Sequence, residues 1–157
     1  MTAKLFRESA SIQKAVKKDL REISIIFKKE SAKKPYSQKW DQKTALKKIL
    51  EYSKRGKIYA VRIKDEVAGF VIITFNVWEN GKSAFIDELW LRPVYQKKGM
   101  GSVIMNFVEG ECRRKKVNSV FLITNKAGAF EFYKKLNYLH LENFVLMRKR
   151  LETKVSQ

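Results

Sequence analysis

The sequence predicts a mixed α/β fold in which helices cover one sheet, and three features lead there. Helical spacing fills the first 56 residues, β-branched and aromatic runs follow, and from Gly99 onwards helical stripes alternate with strand-like runs. A chain of 157 residues is about one domain long and can bury a real core. No repeat, low-complexity tract or Pro/Gly-rich linker divides it, so residues 1–157 are expected to form one domain.

Residues 11–28 place Ile12, Val16, Leu20, Ile23 and Phe27 three and four apart with lysines between them, the pattern of an amphipathic helix. Lys33-Lys34-Pro35 breaks it, because proline has no amide hydrogen and restricts the residue before it. A second helix is expected from about Gln38 to Ser53, burying Leu46, Ile49 and Leu50 and ending near Gly56. Ile58–Ile63 and Val67–Val77 then read as a hairpin around Lys64-Asp65-Glu66. Asn80-Gly81 is a tight-turn signal, since both positions tolerate positive φ. It leads into a third strand, Ser83–Leu91, stopped by Arg92-Pro93.

Past Gly99 and Gly101, a stripe of Ile104, Phe107, Val108 and Cys112 marks a helix to about Lys115. Val117–Thr124 is the next strand and Lys126–Leu136 the next helix; Tyr138–Leu141 and Phe144–Arg150 read as a closing pair of strands.

Composition narrows the function classes. The 45% hydrophobic content fits a globular chain. No apolar run approaches the ~20 residues of a membrane span. The N-terminal MTAKLFRESA lacks a signal-type apolar stretch, so a cytoplasmic location and no membrane partner are expected. One cysteine, Cys112, and one histidine, His140, give no internal disulfide and no basis for a metal site. Cys112 lies on its helix's apolar stripe and reads as a core thiol; Trp40 and Trp78 read as packing residues.

The net charge of +18 is spread along the chain, with an excess of ten in residues 1–56 and eight beyond. Such a field attracts anions: nucleotides, nucleic acids, acidic proteins. A nucleic-acid-binding module is therefore one reading of the chain, although it shows no zinc-finger spacing, RNP-type aromatic motif or basic zipper. A solvated lysine-rich surface is the other reading of the charge.

The informative segment runs from Ile86 through Asp87-Glu88-Leu89-Trp90-Leu91-Arg92-Pro93 to Gln96-Lys97-Lys98-Gly99-Met100-Gly101. Here a strand passes through a short loop into a helix that opens with Gly-x-Gly. Helix N-termini expose unsatisfied amide hydrogens and about half a positive charge, and glycines let a phosphate approach the backbone closely. The spacing fits neither a P-loop nor a Rossmann fingerprint.

Gln96-Lys97-Lys98-Gly99-Met100-Gly101 resembles the Gln/Arg-x-x-Gly-x-Gly/Ala signature of the GNAT superfamily of N-acetyltransferases, and Asp87–Pro93 resembles that family's fourth strand and its exit. The resemblance covers residues 58–150 well and residues 1–56 in element type only. It implies a mostly antiparallel central sheet of six to seven strands flanked by about four helices. It divides the domain into a helical acceptor-side region (1–56), a cofactor-binding core (57–150) and a tail (151–157). It implies acetyl-coenzyme A as cosubstrate, its pyrophosphate held by Gln96, Lys97, Lys98, Gly99, Met100, Gly101 and Ser102. Its pantetheine arm would lie along the backbone of Leu89 and Leu91 in the manner of an added strand, with Trp90 lining the cleft.

Asn125-Lys126-Ala127-Gly128-Ala129-Phe130-Glu131-Phe132-Tyr133 and the residues to Tyr138 resemble a second family element. That match puts Asn125 and Phe130 beside the cofactor and Tyr133 near the thioester sulfur. Asn137 stands at the usual glycine and accepts the same left-handed backbone. Glu88 and Asp87 are the candidate general bases; because adjacent strand positions face opposite ways, one of the two, Glu88 by preference, is expected to face the cleft. Tyr133 is the candidate acid, although spacing alone makes it a packing partner of Phe130 and Leu136. The resemblance also allows a sensor without turnover, and a homodimer, since dimers are common among members. The acceptor is an amine that the sequence does not identify; the positive field favours one on an acidic or nucleic-acid-bound protein.

Overall fold

A computed structural model describes residues 3–151. Helix α1 (Ala3–Ser9) leads directly into strand β1 (Ala10–Lys14), followed by helices α2 (Asp19–Ser31) and α3 (Gln42–Arg55). Strands β2 (Lys57–Ile63), β3 (Glu66–Trp78) and β4 (Gly81–Leu91) come next, then a 3₁₀ turn at Pro93–Tyr95, helix α4 (Met100–Arg114), strand β5 (Val117–Leu122) and helix α5 (Phe130–Lys135). The sheet order is β1-β2-β3-β4-β5, antiparallel except for the parallel pair β4/β5.

The sheet separates two cores. On one face α4 and α5 pack Ile104, Met105, Val108 and Tyr133 against Val61, Val71, Ile73 and Ile86. On the other, α2 and α3 pack Ile23, Phe27 and Ile49 against Ala60, Phe70 and Ile72. Strands β2 and β3, buried on both sides, accordingly read as nearly continuous apolar runs.

Several expectations change. The helix predicted over 11–28 is a strand followed by a helix. Residues 10–14 pair with 59–63, and Val16, which the helical spacing placed on a buried face, is 52% exposed. Helix α2 starts instead where the Asp19 carboxylate accepts the Val16 amide at 2.9 Å. The helix expected from Gln38 starts at Gln42, because Asp41 caps it by accepting the Thr44 amide at 3.0 Å.

The helix expected from Lys126 begins at Phe130, since the Asn125 side chain and carbonyl fold residues 125–128 into a turn. The closing strands at 138–141 and 144–150 do not form among the described residues, and the sheet has five strands, not six to seven. The turn between them exists, with the Phe144 amide on the Leu141 carbonyl at 3.1 Å. Phe144–Met147 is apolar on both faces but 76–86% exposed, so no covering layer holds it as a strand beside β5. The tail expected at 151–157 falls, apart from Leu151, outside the described residues.

Asp19 joins the α2 side to the sheet. Its carboxylate is 4% exposed and is paired with the Arg62 guanidinium of β2. Arg62→Ala strands that charge, so urea unfolding of the variant is expected to show a loss of about 3–5 kcal/mol; a loss below about 1 kcal/mol would mean that water already screens the pair.

Candidate active site

Strands β4 and β5 part company midway. Their parallel ladder runs from Lys82/Val117 to Ile86/Leu122 and stops, while β4 continues to Leu91. From Asp87 to Leu91, β4 is paired only to β3. Trp90 lies opposite Phe70, and the Arg92 amide reaches the Ala68 carbonyl at 2.8 Å. Peptide groups alternate along a strand, so those of Leu89 and Leu91 point the other way, into the gap. One acceptor there is already engaged: the Gln96 side-chain amide donates to the Leu91 carbonyl at 2.7 Å and to Glu30 of α2 at 3.1 Å. The Gln96 side chain is thus a brace between the β4 exit and α2.

The ladder slips where β4 and β5 separate. Ile72 faces Glu88 and Ile73 faces Ile86, which leaves Asp87 as an extra residue in β4. Strict alternation would put the two acidic side chains on opposite faces, and the bulge puts both on the α2/α3 side. The Asp87 carboxylate accepts the Thr74 hydroxyl at 2.8 Å, while Glu88 accepts the Trp90 indole N–H at 2.6 Å and the Tyr52 hydroxyl of α3 at 3.3 Å. Both point to that one face. Burial raises the Glu88 carboxyl above the ordinary range; the Trp90 and Tyr52 hydrogen bonds and Lys48 oppose it, and Asp87 adds to it. Burial, then the Glu88 and Asp87 charges, push the Tyr52 phenol up strongly.

Past the 3₁₀ turn, Gln96–Gly99 leads into α4. Lys97 and Gly99 both take positive φ, 55° and 78°. Gly99 is the N-cap of α4 with no side-chain cap bond, and the first turn carries no acidic residue. The amides of Met100, Gly101 and Ser102 therefore begin a helix whose positive end no protein carboxylate covers in sequence. Lys98 Nζ bonds the Val94 carbonyl at 2.6 Å. The missing Cβ of Gly101 is what admits Phe132, whose ring would meet such a carbon at 2.9 Å.

Across the gap, Tyr133 is 9% exposed and packs edge-on against Tyr138, ring centroids 5.8 Å apart. Burial, then the neighbouring Tyr36, drive its phenol well above the ordinary value, so it stays protonated at neutral pH. The Asn125 side-chain oxygen is taken by the Ala127 amide at 2.8 Å. Phe130 stacks edge-on with His140 at 5.4 Å; with Tyr133, Leu122 and Phe144 it lines a cavity of about 390 Å³. Cys112 is a buried thiol of the α4 core. Among the described residues no cluster of three or more His, Cys, Asp and Glu is placed to hold a metal.

Tyr36, like Tyr52, is a residue of this site that the sequence motifs do not mark. It lies in the loop between α2 and α3, its ring edge-on to Trp90 at 4.9 Å, and its hydroxyl would sit 2.6 Å from a Cβ on Gly128. It therefore spans from β4 to the turn after β5, over the gap. Its only signal in the sequence was a tyrosine beside the helix-breaking proline.

The family model described as the acetyltransferase (GNAT) family matches residues 18–138. Solved structures of similar shape include a possible acetyltransferase from Clostridium difficile 630, at TM-score 0.79 and 17% identity over 91% of this chain and 99% of that one. A predicted acetyltransferase from Clostridium acetobutylicum, solved with acetyl-CoA, aligns at TM-score 0.74 and 14% identity over 88% and 96%. An aminoglycoside acetyltransferase from an uncultured soil metagenomic sample, in complex with sisomicin, aligns at 0.71 and 16% over 92% and 98%. At these identities the likeness speaks for the fold. No curated protein matches.

Gly128→Ala is expected to push Tyr36 off its seat and alter the emission of the neighbouring Trp90. On a Tyr36→Ala background the same change should leave emission as it is. An equal effect of Gly128→Ala on both backgrounds would mean that the two residues do not meet.

Proposed function

The chain belongs to the GNAT acetyltransferase family, and from that premise we propose that it transfers the acetyl group of acetyl-coenzyme A to a primary amine by direct attack. The observation that carries the reading is the free edge of β4 from Asp87 to Leu91, opening beside the uncapped start of α4. The Leu89 peptide groups and the Leu91 amide suit the amides of a pantetheine arm as an added strand would; the Leu91 carbonyl is held by Gln96. The turn at 96–99 and the first amides of α4 suit the diphosphate. These groups bind and orient; the cosubstrate supplies the activated acyl carbon.

An alkylamine with a pKa of ~10.4 is neutral in about one molecule in 2,500 at pH 7, so direct attack needs a proton acceptor. Glu88 is the candidate, with Asp87 beside it. Its raised pKa brings it closer to the optimum for a general base near neutral pH. Tyr52 and Trp90 hold the carboxylate in place.

The departing thiolate, close in basicity to a cysteine at ~8.5, is weaker as a base than the Tyr133 phenolate. Tyr133 therefore serves as a hydrogen-bond donor that stabilises the sulfur, and the proton remains largely on the phenol. The acceptor is proposed to be an amine on an acidic or nucleic-acid-bound protein, because the +18 field repels polyamines at encounter. A cytoplasmic setting is proposed with it; no helix among the described residues is long and apolar enough to cross a membrane.

Acetyl-CoA at a hundredfold excess over Kd should raise Tm by about 5–10 °C, and an amine panel should release free thiol. Stabilisation by DNA alone would favour the nucleic-acid reading; binding without thiol release would favour a sensor. The base assignment has its own test in the pH–rate profile. A general base works ionised, and burial raises Glu88, so the acid limb should lie above the ordinary carboxylate range. Glu88→Gln should remove that limb and cost about 10²-fold in rate, whereas an unchanged limb would transfer the role to Asp87 or to water. Tyr133→Phe keeps the ring and loses the donor; undiminished kcat in that variant would refute its assignment.

A further inference from the structure

We propose that Arg7, on the helix before the first strand, is a phosphate-binding residue of the donor site, a role that rests on the acetyl-CoA reading above. The topology brings it there. Ala10 pairs with Ile63 and Gly69 with Leu91, so the start of β1 lies at the end of the sheet from which β4 departs towards the 96–99 turn. Helix α1, ending at Ser9, hands over at that end. The Arg7 side chain lies across Gly99: a Cβ there would meet Nη1 at 2.7 Å and Cδ at 3.3 Å. Gly99 is held to glycine by its φ of 78°, and the exposed Arg7 side chain lies over it.

Electrostatics make this seat receptive to an anion. The uncapped start of α4 carries about half a positive charge, Lys97 and Lys98 flank it, and no acidic residue lies in its first turn. Among the described residues no carboxylate pairs with Arg7, although Glu8 beside it pairs with Lys4 at 3.8 Å. A fourth positive group set on this end is repelled by the other three and attracted to whatever anion they share. A diphosphate matches the need: it takes helix amides on some oxygens and a guanidinium fork on others. The family signature lies in the 96–101 turn, and Arg7 would add to it from a segment ninety residues away in sequence.

The test is calorimetric titration of the full chain, wild type and Arg7→Gln, with acetyl-CoA, acetyl-pantetheine and inorganic pyrophosphate. Arg7→Gln is expected to weaken acetyl-CoA about tenfold, to raise its KM while sparing kcat at saturation, and to lessen the salt dependence of binding. Acetyl-pantetheine, which has no phosphate, should be unaffected; Arg7→Lys should recover part of the loss. An unchanged acetyl-CoA Kd in Arg7→Gln overturns the proposal, and so does an equal loss for acetyl-pantetheine, which would make Arg7 a structural brace of the turn. Should the wild type not bind acetyl-CoA at all, the function reading falls, and the pyrophosphate titration then decides on Arg7 alone.

Discussion

One extra residue in β4 organises the rest. At Asp87 the β3/β4 ladder slips by one position, and immediately before it β5 stops pairing. A bulge bends and twists its strand, so the same local event that turns β4 away from β5 also resets which side chains face which core. Before it, Ile86 and Ala84 point to the α4 side; after it, Leu89 and Leu91 do so again, and the slip leaves Asp87 and Glu88 together on the α2/α3 side. The opening for a ligand and the paired carboxylates beside it have a common cause. Straightening β4 would close the first and separate the second.

Helices α2 and α3 are tied to this strand by polar contacts as well as packing. Gln96 holds both the Leu91 carbonyl and Glu30, and Glu30 in turn takes Lys33 at 2.6 Å. Arg92 reaches Glu22 of α2 at 2.7 Å and the Val67 carbonyl at 2.8 Å. Phe27, Trp40, Tyr36 and Trp90 continue the connection as ring contacts from α2 to β4. A shift of α2 would be felt at the exit of β4, one residue beyond the peptide groups that face the gap. Nothing mobile needs to be invoked, since the contacts are direct.

Legibility in the sequence followed locality. The hairpin of β2 and β3, the strand before Arg92-Pro93 and helix α4 were readable because their periods are long and their ends are marked by proline and glycine. Asn137 was readable for the same reason: the left-handed turn expected of it appears as a φ of 64°. The Glu88/Asp87 geometry was not, because a bulge is a property of two strands and leaves no mark in one. Strand β1 was hidden in a helical spacing that two residues, Ile12 and Val16, fitted by coincidence. The closing strands were expected from composition, but a β-prone run becomes a strand only where an edge and a covering layer await it. Tyr36 and Arg7 belong to the same class as the bulge. Each matters through a contact more than fifty residues away, and neither sits in a motif.

The charge is easier to interpret once the site has a place. A net +18 taken alone favours any anion, nucleic acid included. The 96–102 turn, with its exposed helix start and flanking cations, is a local focus of that field. A diphosphate there needs only the short-range part, which salt screens over about 8–10 Å. Other lysines, such as Lys28, Lys29, Lys33 and Lys39, line a groove with Trp40 that runs to Arg92, Pro93 and Val94 at the β4 exit and includes neither Asp87 nor Glu88. The charge concentrated at the turn therefore argues for an anionic ligand by itself, whatever the rest of the excess serves.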